Sequence, residues 1–168
     1  MRTNGEADLF TALGAWAEHE ARGRWHVHSG FGNGEFRGLD AVEFLFKVRP
    51  TMVSRILEGN PIRTDAIELQ PEDLDCILTY DGRTLGVWTQ ENVFNGTGDV
   101  ARYVTQLAES KKAIEGPIFC LQKVEDTSIT VFDGTHRLAA WLIQVAQKCH
   151  PDTVSGYLVR TTRQVRGF

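Results

Sequence analysis

The sequence predicts an α/β (α+β) protein, a small mixed sheet with helices, preceded by a helical N-terminal extension. Three observations carry this expectation. Short β-branched and aromatic runs at 66–69, 118–121, 129–132 and 156–160 alternate with segments of helical periodicity. The first sixty residues show helix-type spacing and no strand-type run. The texture changes at Glu58-Gly59-Asn60-Pro61, which divides the chain into an extension, 1–60, and a main domain, 61–168.

In the extension, Leu9, Leu13 and Trp16 recur at i, i+4, i+7, the spacing of one helix face. Gly30-Phe31-Gly32-Asn33-Gly34 reads as a loop. Asp40 with Glu43 three residues on forms a capping box that opens a second helix. Pro50 ends or kinks that helix, and Met52, Val53, Ile56 and Leu57 mark a further short one.

In the main domain, 66–69 is a strand closed by Pro71, and 83–88 reads as a strand after the Asp81-Gly82 turn. Val100, Val104, Leu107 and Lys111 line a helix that Gly116-Pro117 stops. Strands follow at 118–121 and 129–132. Leu138, Leu142, Val145 and Cys149 form the face of a helix beginning near Thr135, and 156–160 is the last strand.

Composition bounds the function. With 168 residues, 42% hydrophobic and 24% charged, the chain has the make-up of a globular protein with a core of its own. No apolar run approaches the ~20 residues that cross a bilayer, and the first residues lack the apolar stretch of a secretory signal. No membrane partner and a cytoplasmic location are therefore expected. The net charge of −4 argues against coating nucleic acid by charge alone. Basic residues do gather late, at Arg137, Lys148, Arg160, Arg163 and Arg166 against the single acid Asp152. That distribution is equally an anion-binding face and a solubilising tail. Cys76, Cys120 and Cys149 are odd in number and widely spaced, as reduced thiols are.

The segment with the most chemistry is Ile129-Thr-Val-Phe-Asp-Gly-Thr-His-Arg-Leu-Ala-Ala-Trp141, a strand running into a helix with no spacer. A helix N-terminus offers unpaired N–H groups and the positive end of the macrodipole, and phosphate binds there. Gly134 lets an anion approach the backbone. Thr135, His136 and Arg137 add donors, Arg137 as a two-pronged grip. Asp133 caps the helix or holds a cation against the phosphate. Spacing alone favours the plainer reading of these residues, an ordinary capped turn with a solvated arginine.

Asp133-Gly134-Thr135-His136-Arg137-Leu138-Ala139-Ala140 resembles the Asp-Gly-x-His-Arg-x-x-Ala box of the ParB/sulfiredoxin superfamily. In order along the chain, Leu69-Gln-Pro-Glu-Asp-Leu74, Val104-Thr-Gln-Leu-Ala-Glu-Ser110, Gly116-Pro117-Ile118 and Val154-Ser-Gly-Tyr-Leu-Val159 are similar to other segments of that superfamily. The resemblance implies a ParB/sulfiredoxin-like sheet and a box that binds the phosphates of a nucleotide, ATP, or of DNA. It makes Gly134, Thr135, His136 and Arg137 phosphate ligands and places the Ser110 hydroxyl near the nucleotide. In an enzyme His136, Arg137 and Asp133 would be the catalytic residues, with Asp133 or Glu91 holding Mg²⁺ or orienting water. Thr135 stands where sulfiredoxins need cysteine, so their thiol chemistry is not expected. Only 27 residues follow Trp141, too few for the downstream DNA-binding domain of chromosome-segregation members. The stand-alone branch, with nuclease, nucleotide-hydrolysing and kinase members and some plasmid fertility-inhibition proteins, is the nearer match.

Three functions fit these residues. One is hydrolysis of a nucleotide or of DNA phosphodiesters, with His136 and Arg137 stabilising charge on phosphorus. Another is a non-catalytic nucleotide- or DNA-binding module whose N-terminal helices contact a partner protein, as in inhibition of conjugative DNA transfer. The third is a small-molecule kinase. Other features are weaker: His26 and His28 as a metal pair, Asn95-Gly96-Thr97-Gly98 as a phosphate cover, Asp73, Asp75 and Asp81 as Mg²⁺ ligands, Arg102 as a nearby cation, and Trp141 as a base-pocket wall.

Overall fold

A computed structural model describes residues 1–23, 40–110 and 114–165. The glycine-rich loop at 30–34, His26 and His28 lie outside them, and so does Lys111.

The fold is α+β, built on one six-stranded mixed sheet. Its strands are β1 (Arg2–Ala7), β2 (Pro61–Leu69), β3 (Ile77–Leu78), β4 (Ile118–Lys123), β5 (Ile129–Asp133) and β6 (Val154–Thr161). They lie in the order β1-β2-β6-β4-β5-β3. The pairs β1–β2, β2–β6 and β4–β5 are antiparallel, whereas β6–β4 and β3–β5 are parallel. The helices are α1 (Leu9–Gly23), α2 (Ala41–Val48), α3 (Pro50–Glu58), α4 (Leu85–Thr89), α5 (Asp99–Glu109) and α6 (Thr135–Ala146).

Strand alternation distributes the apolar side chains to two cores. In β4, Ile118 and Cys120 face one side, and Phe119 and Leu121 the other. The first side packs under α4, α5 and α6 through Trp88, Val104, Leu138 and Trp141. The second packs under α1, α2 and α3 through Trp16, Phe44, Leu45, Val53 and Ile56. The sheet is thus the middle layer of three, and each helical layer buries one of its faces. Trp16 is fully buried against Phe119 and Phe132, with ring centroids 5.7 and 5.3 Å away.

Local chemistry starts the elements where the sequence places them. Asp40 accepts the Glu43 amide at 2.8 Å, and the Glu43 carboxylate accepts the Asp40 amide at 2.9 Å, which completes the capping box of α2. Pro50 is the first residue of α3 rather than only the end of α2, because proline fits the first helical turn without losing a bond.

Two segments differ from expectation. The strand expected at 83–88 is the helix α4. Thr84 caps it, Leu85, Trp88 and Thr89 are buried on one helical face, and the Thr89 hydroxyl donates to the Leu85 carbonyl at 2.7 Å. The second is β1, a strand within the extension. Its outward positions are exposed and polar, so it carries no apolar alternation, and it pairs along the β2 edge. Among the described residues no helix is long and apolar enough to cross a membrane, and the three cysteines are free thiols, with Cys120 buried.

Candidate functional site

β5 ends at Asp133, Gly134 turns, and α6 begins at Thr135. Gly134 is the N-cap of α6, with φ +103°, ψ +11°, a left-handed conformation that glycine adopts without a Cβ penalty. A Cβ there would lie 2.5 Å from Ile118 Cδ1 and 3.2 Å from Arg137 Nη2. Glycine also brings no side chain to cover the first N–H groups of the helix. The helix dipole and the Thr135 and His136 amides face the space ahead of the turn.

Arg137 is 8% exposed, and its guanidinium turns inward. Nη2 donates to Asp133 Oδ2 at 2.6 Å, and Nη1 donates to the carbonyls of Pro117 at 2.9 Å and Glu115 at 3.3 Å. Both terminal nitrogens are engaged by the protein, so Arg137 fastens the start of α6 to the end of β5 and to the approach to β4. Asp133 is the acceptor of that latch and not the cap. Burial pushes its carboxyl above the ordinary range, opposed by the Arg137 charge.

His136 is half-buried. Its ring lies 5.6 Å from Trp88 and 5.9 Å from Tyr103, so α4 and α5 bracket it. Tyr103 is half-exposed beside it. α5 also meets α6 where Gln144 Nε2 donates to the Ala108 carbonyl. The two helices therefore run in the same sense, and the loop at 95–98 lies toward the N-terminal end of α6. A cavity of about 280 Å³ separates that loop from α5, lined by Val93, Gly96, Thr97, Ala101, Arg102, Thr105 and Gln106.

The remaining expected site residues have partners of their own. Ser110 follows the Ala108–Gln144 contact, past the far end of α5, and its hydroxyl donates to the Leu107 carbonyl at 2.7 Å. Glu91 sits in a π-helical turn, Gln90–Phe94, and pairs with Arg83. Arg83 also holds Asp81, whose carboxyl falls to about 2 through the Arg83 hydrogen bond. Arg102 pairs with Asp99. Trp141 is fully buried, with its indole N–H donating to the Pro151 carbonyl at 3.1 Å, a core residue rather than a pocket wall. Asp133 and Glu91 each have an arginine as partner, and among the described residues no group of three or more His, Cys, Asp or Glu could hold a metal ion. That donor set does not fit a protein-held Mg²⁺.

Sequence reasoning missed the contribution of α1. His19 packs against Gly116, where a Cβ would lie 2.4 Å from its Nδ1 and 2.9 Å from Arg137 Nη1. Burial and the Arg137 charge lower the His19 pKa from 6.5, which favours the neutral imidazole. It makes no hydrogen bond with any described residue. Next to it Glu20, 6% exposed, accepts two hydrogen bonds from Arg49 Nη2 at 2.9 and 3.0 Å. The available signal was Glu20 itself: it extends the apolar stripe of Leu9, Leu13 and Trp16 by one more turn with a charge.

Comparison with protein-family models, with curated proteins and with solved structures finds no match to this chain, so its functional reading rests on the geometry of this turn.

Proposed function

We propose that the chain binds the phosphates of a nucleotide, ATP or a nucleotide unit of DNA, on the N-terminus of α6. The observation that carries this reading is the left-handed Gly134 that opens α6, with Thr135 and His136 beyond it and Arg137 folded away as a latch. Phosphate would take the backbone N–H groups and the Thr135 hydroxyl. The half-exposed Tyr103 beside His136 offers a base a face to stack on. Arg137 is a positioning residue in this reading, and Mg²⁺ is carried by the phosphates of the nucleotide rather than by Asp133 and Glu91.

The test is a titration of the ¹⁵N-labelled protein with ATP and, separately, adenosine. Saturable shifts of the Thr135 and His136 amides with ATP but not adenosine are expected, weakened in His136→Ala. Amides that ignore ATP and short DNA alike would refute the site.

Hydrolysis is the second reading, and His19 favours it. An imidazole without a hydrogen bond to any described residue, its pKa lowered by burial and the Arg137 charge, is a proton acceptor for an attacking water. Phosphate release from ATP and nicking of DNA, assayed with His19→Gln, test it. A fall in kcat with little change in KM supports hydrolysis; ATP bound without turnover leaves the binding module.

A further inference from the structure

A second group of charges lies at the other end of the sheet. Arg63 and Asp65 project from β2 on the side that carries Ile67 and Leu69 into the core under α4–α6. In the ladder Arg63 lies opposite Arg160 on β6, and Arg160 opposite Gln122 on β4. The three side chains form a row across neighbouring strands, spaced by about 5 Å. Asp65 is 1% exposed. Its Oδ1 accepts from Arg63 Nε at 2.6 Å and its Oδ2 from Arg160 Nε at 2.9 Å. Arg160 Nη1 donates to Gln122 Oε1.

Bonding through Nε leaves Nη groups over. Both Nη of Arg63 and the Nη2 of Arg160 have no acceptor among the described residues, and the side chains are 48% and 28% exposed. One buried carboxylate is satisfied by one guanidinium, yet here it holds two side by side. Glu6, opposite Asp65 on β1, is the other acid acting on Arg63, and it bonds to neither arginine in the described structure. Two adjacent guanidiniums with spare parallel donors match the oxygens of a phosphate.

We propose that Arg63 and Arg160, aligned by the buried Asp65, form a second oxyanion site that takes a phosphate group. It shares no residue with the 133–137 turn. Asp133 pairs with Phe119 near the start of β4, whereas Gln122 and Arg160 pair three residues further on, about 10 Å along the strands. The phosphate comes from a free phosphate ion or from the backbone of a nucleic acid, and the chemistry of recognition is common to both.

The Nε–H resonances of Arg63 and Arg160 report the site directly. Labelled protein is titrated with inorganic phosphate, with chloride at matched ionic strength, and with a short single-stranded DNA. Saturable shifts of both resonances with phosphate and none with chloride are expected. Arg63→Gln, which leaves Arg160 on Asp65, should weaken them roughly tenfold or more. Tighter binding of the oligonucleotide than of phosphate identifies the nucleic-acid backbone; equal binding identifies free phosphate. Resonances that follow ionic strength alone, or unchanged affinity in Arg63→Gln, overturn the proposal. Should Arg63→Gln not fold, the wild-type titration decides by itself. The Thr135 and His136 amides read the other site in the same spectra, so each site stands or falls separately.

Discussion

At Gly134 two constraints meet in one residue. The backbone is left-handed, and Ile118 Cδ1 lies only 2.5 Å from where a Cβ would sit. Gly134→Ala should lose about 1–3 kcal/mol through backbone strain, with further loss from the clash. Urea denaturation of wild type and variant measures it, and an unchanged midpoint would mean the turn is not built this way. His19 gives a pH signature. Its folded pKa lies below 6.5, so the unfolded chain takes up the proton first as pH falls. Stability should therefore fall as pH drops through 6.5, and His19→Gln should flatten the urea midpoint between about pH 7.5 and 5.5. Asp133 acts in the opposite sense. Its folded pKa is raised, so its contribution is present below 3.8 and is lost as pH rises through the folded value.

At the scale of elements, local signals succeed where the chemistry is local. The Asp40 and Glu43 box is readable in four residues, and it forms. Asp40→Ala should cost about 1 kcal/mol, seen as a lower urea midpoint with an unchanged m-value; no shift would show that α2 is held by packing alone. The 83–88 segment fails as a strand for a non-local reason. Its β-branched and aromatic residues suit a strand, but Leu85 and Trp88 reach the core under α6 only from one face of a helix. β1 escaped notice because an edge strand with polar outward residues needs no apolar period. Its order comes from the hydrogen bonds offered by β2.

For the whole molecule, the two cores couple the extension to the site. Phe119, Leu121, Phe132 and Val159 are buried by α1–α3, and the β2 edge is covered by β1. A chain reduced to 61–168 would expose that face of the sheet. Such a fragment should lose its near-ultraviolet circular dichroism and associate on size-exclusion chromatography. A monomeric fragment with native spectrum would make 61–168 an independent domain. The same packing sets His19 against Gly116 and Arg137, so a change in α1 that moves its packing, such as Trp16→Ala at about 3–5 kcal/mol, should also shift the Thr135 and His136 amides. A Trp16→Ala variant whose turn resonances stay in place would separate α1 from the site.

The sequence by itself determined the class of the fold, the strands at 118–121 and 129–132, and the glycine turn that opens α6. Each follows from contacts within a few residues: strand alternation, a cap, a residue that tolerates positive φ. Tertiary structure decided where the charges went. Arg137 turns inward because the Glu115 and Pro117 carbonyls and Asp133 meet its guanidinium there. Ser110 lies away from the turn because α5 carries it beyond Gln144, and Glu91 is held by Arg83. His19 arrives from more than a hundred residues upstream because α1 must cover Phe119 and Phe132. Burial is a property of the packed chain, and no local period encodes which distant side chain an arginine will meet.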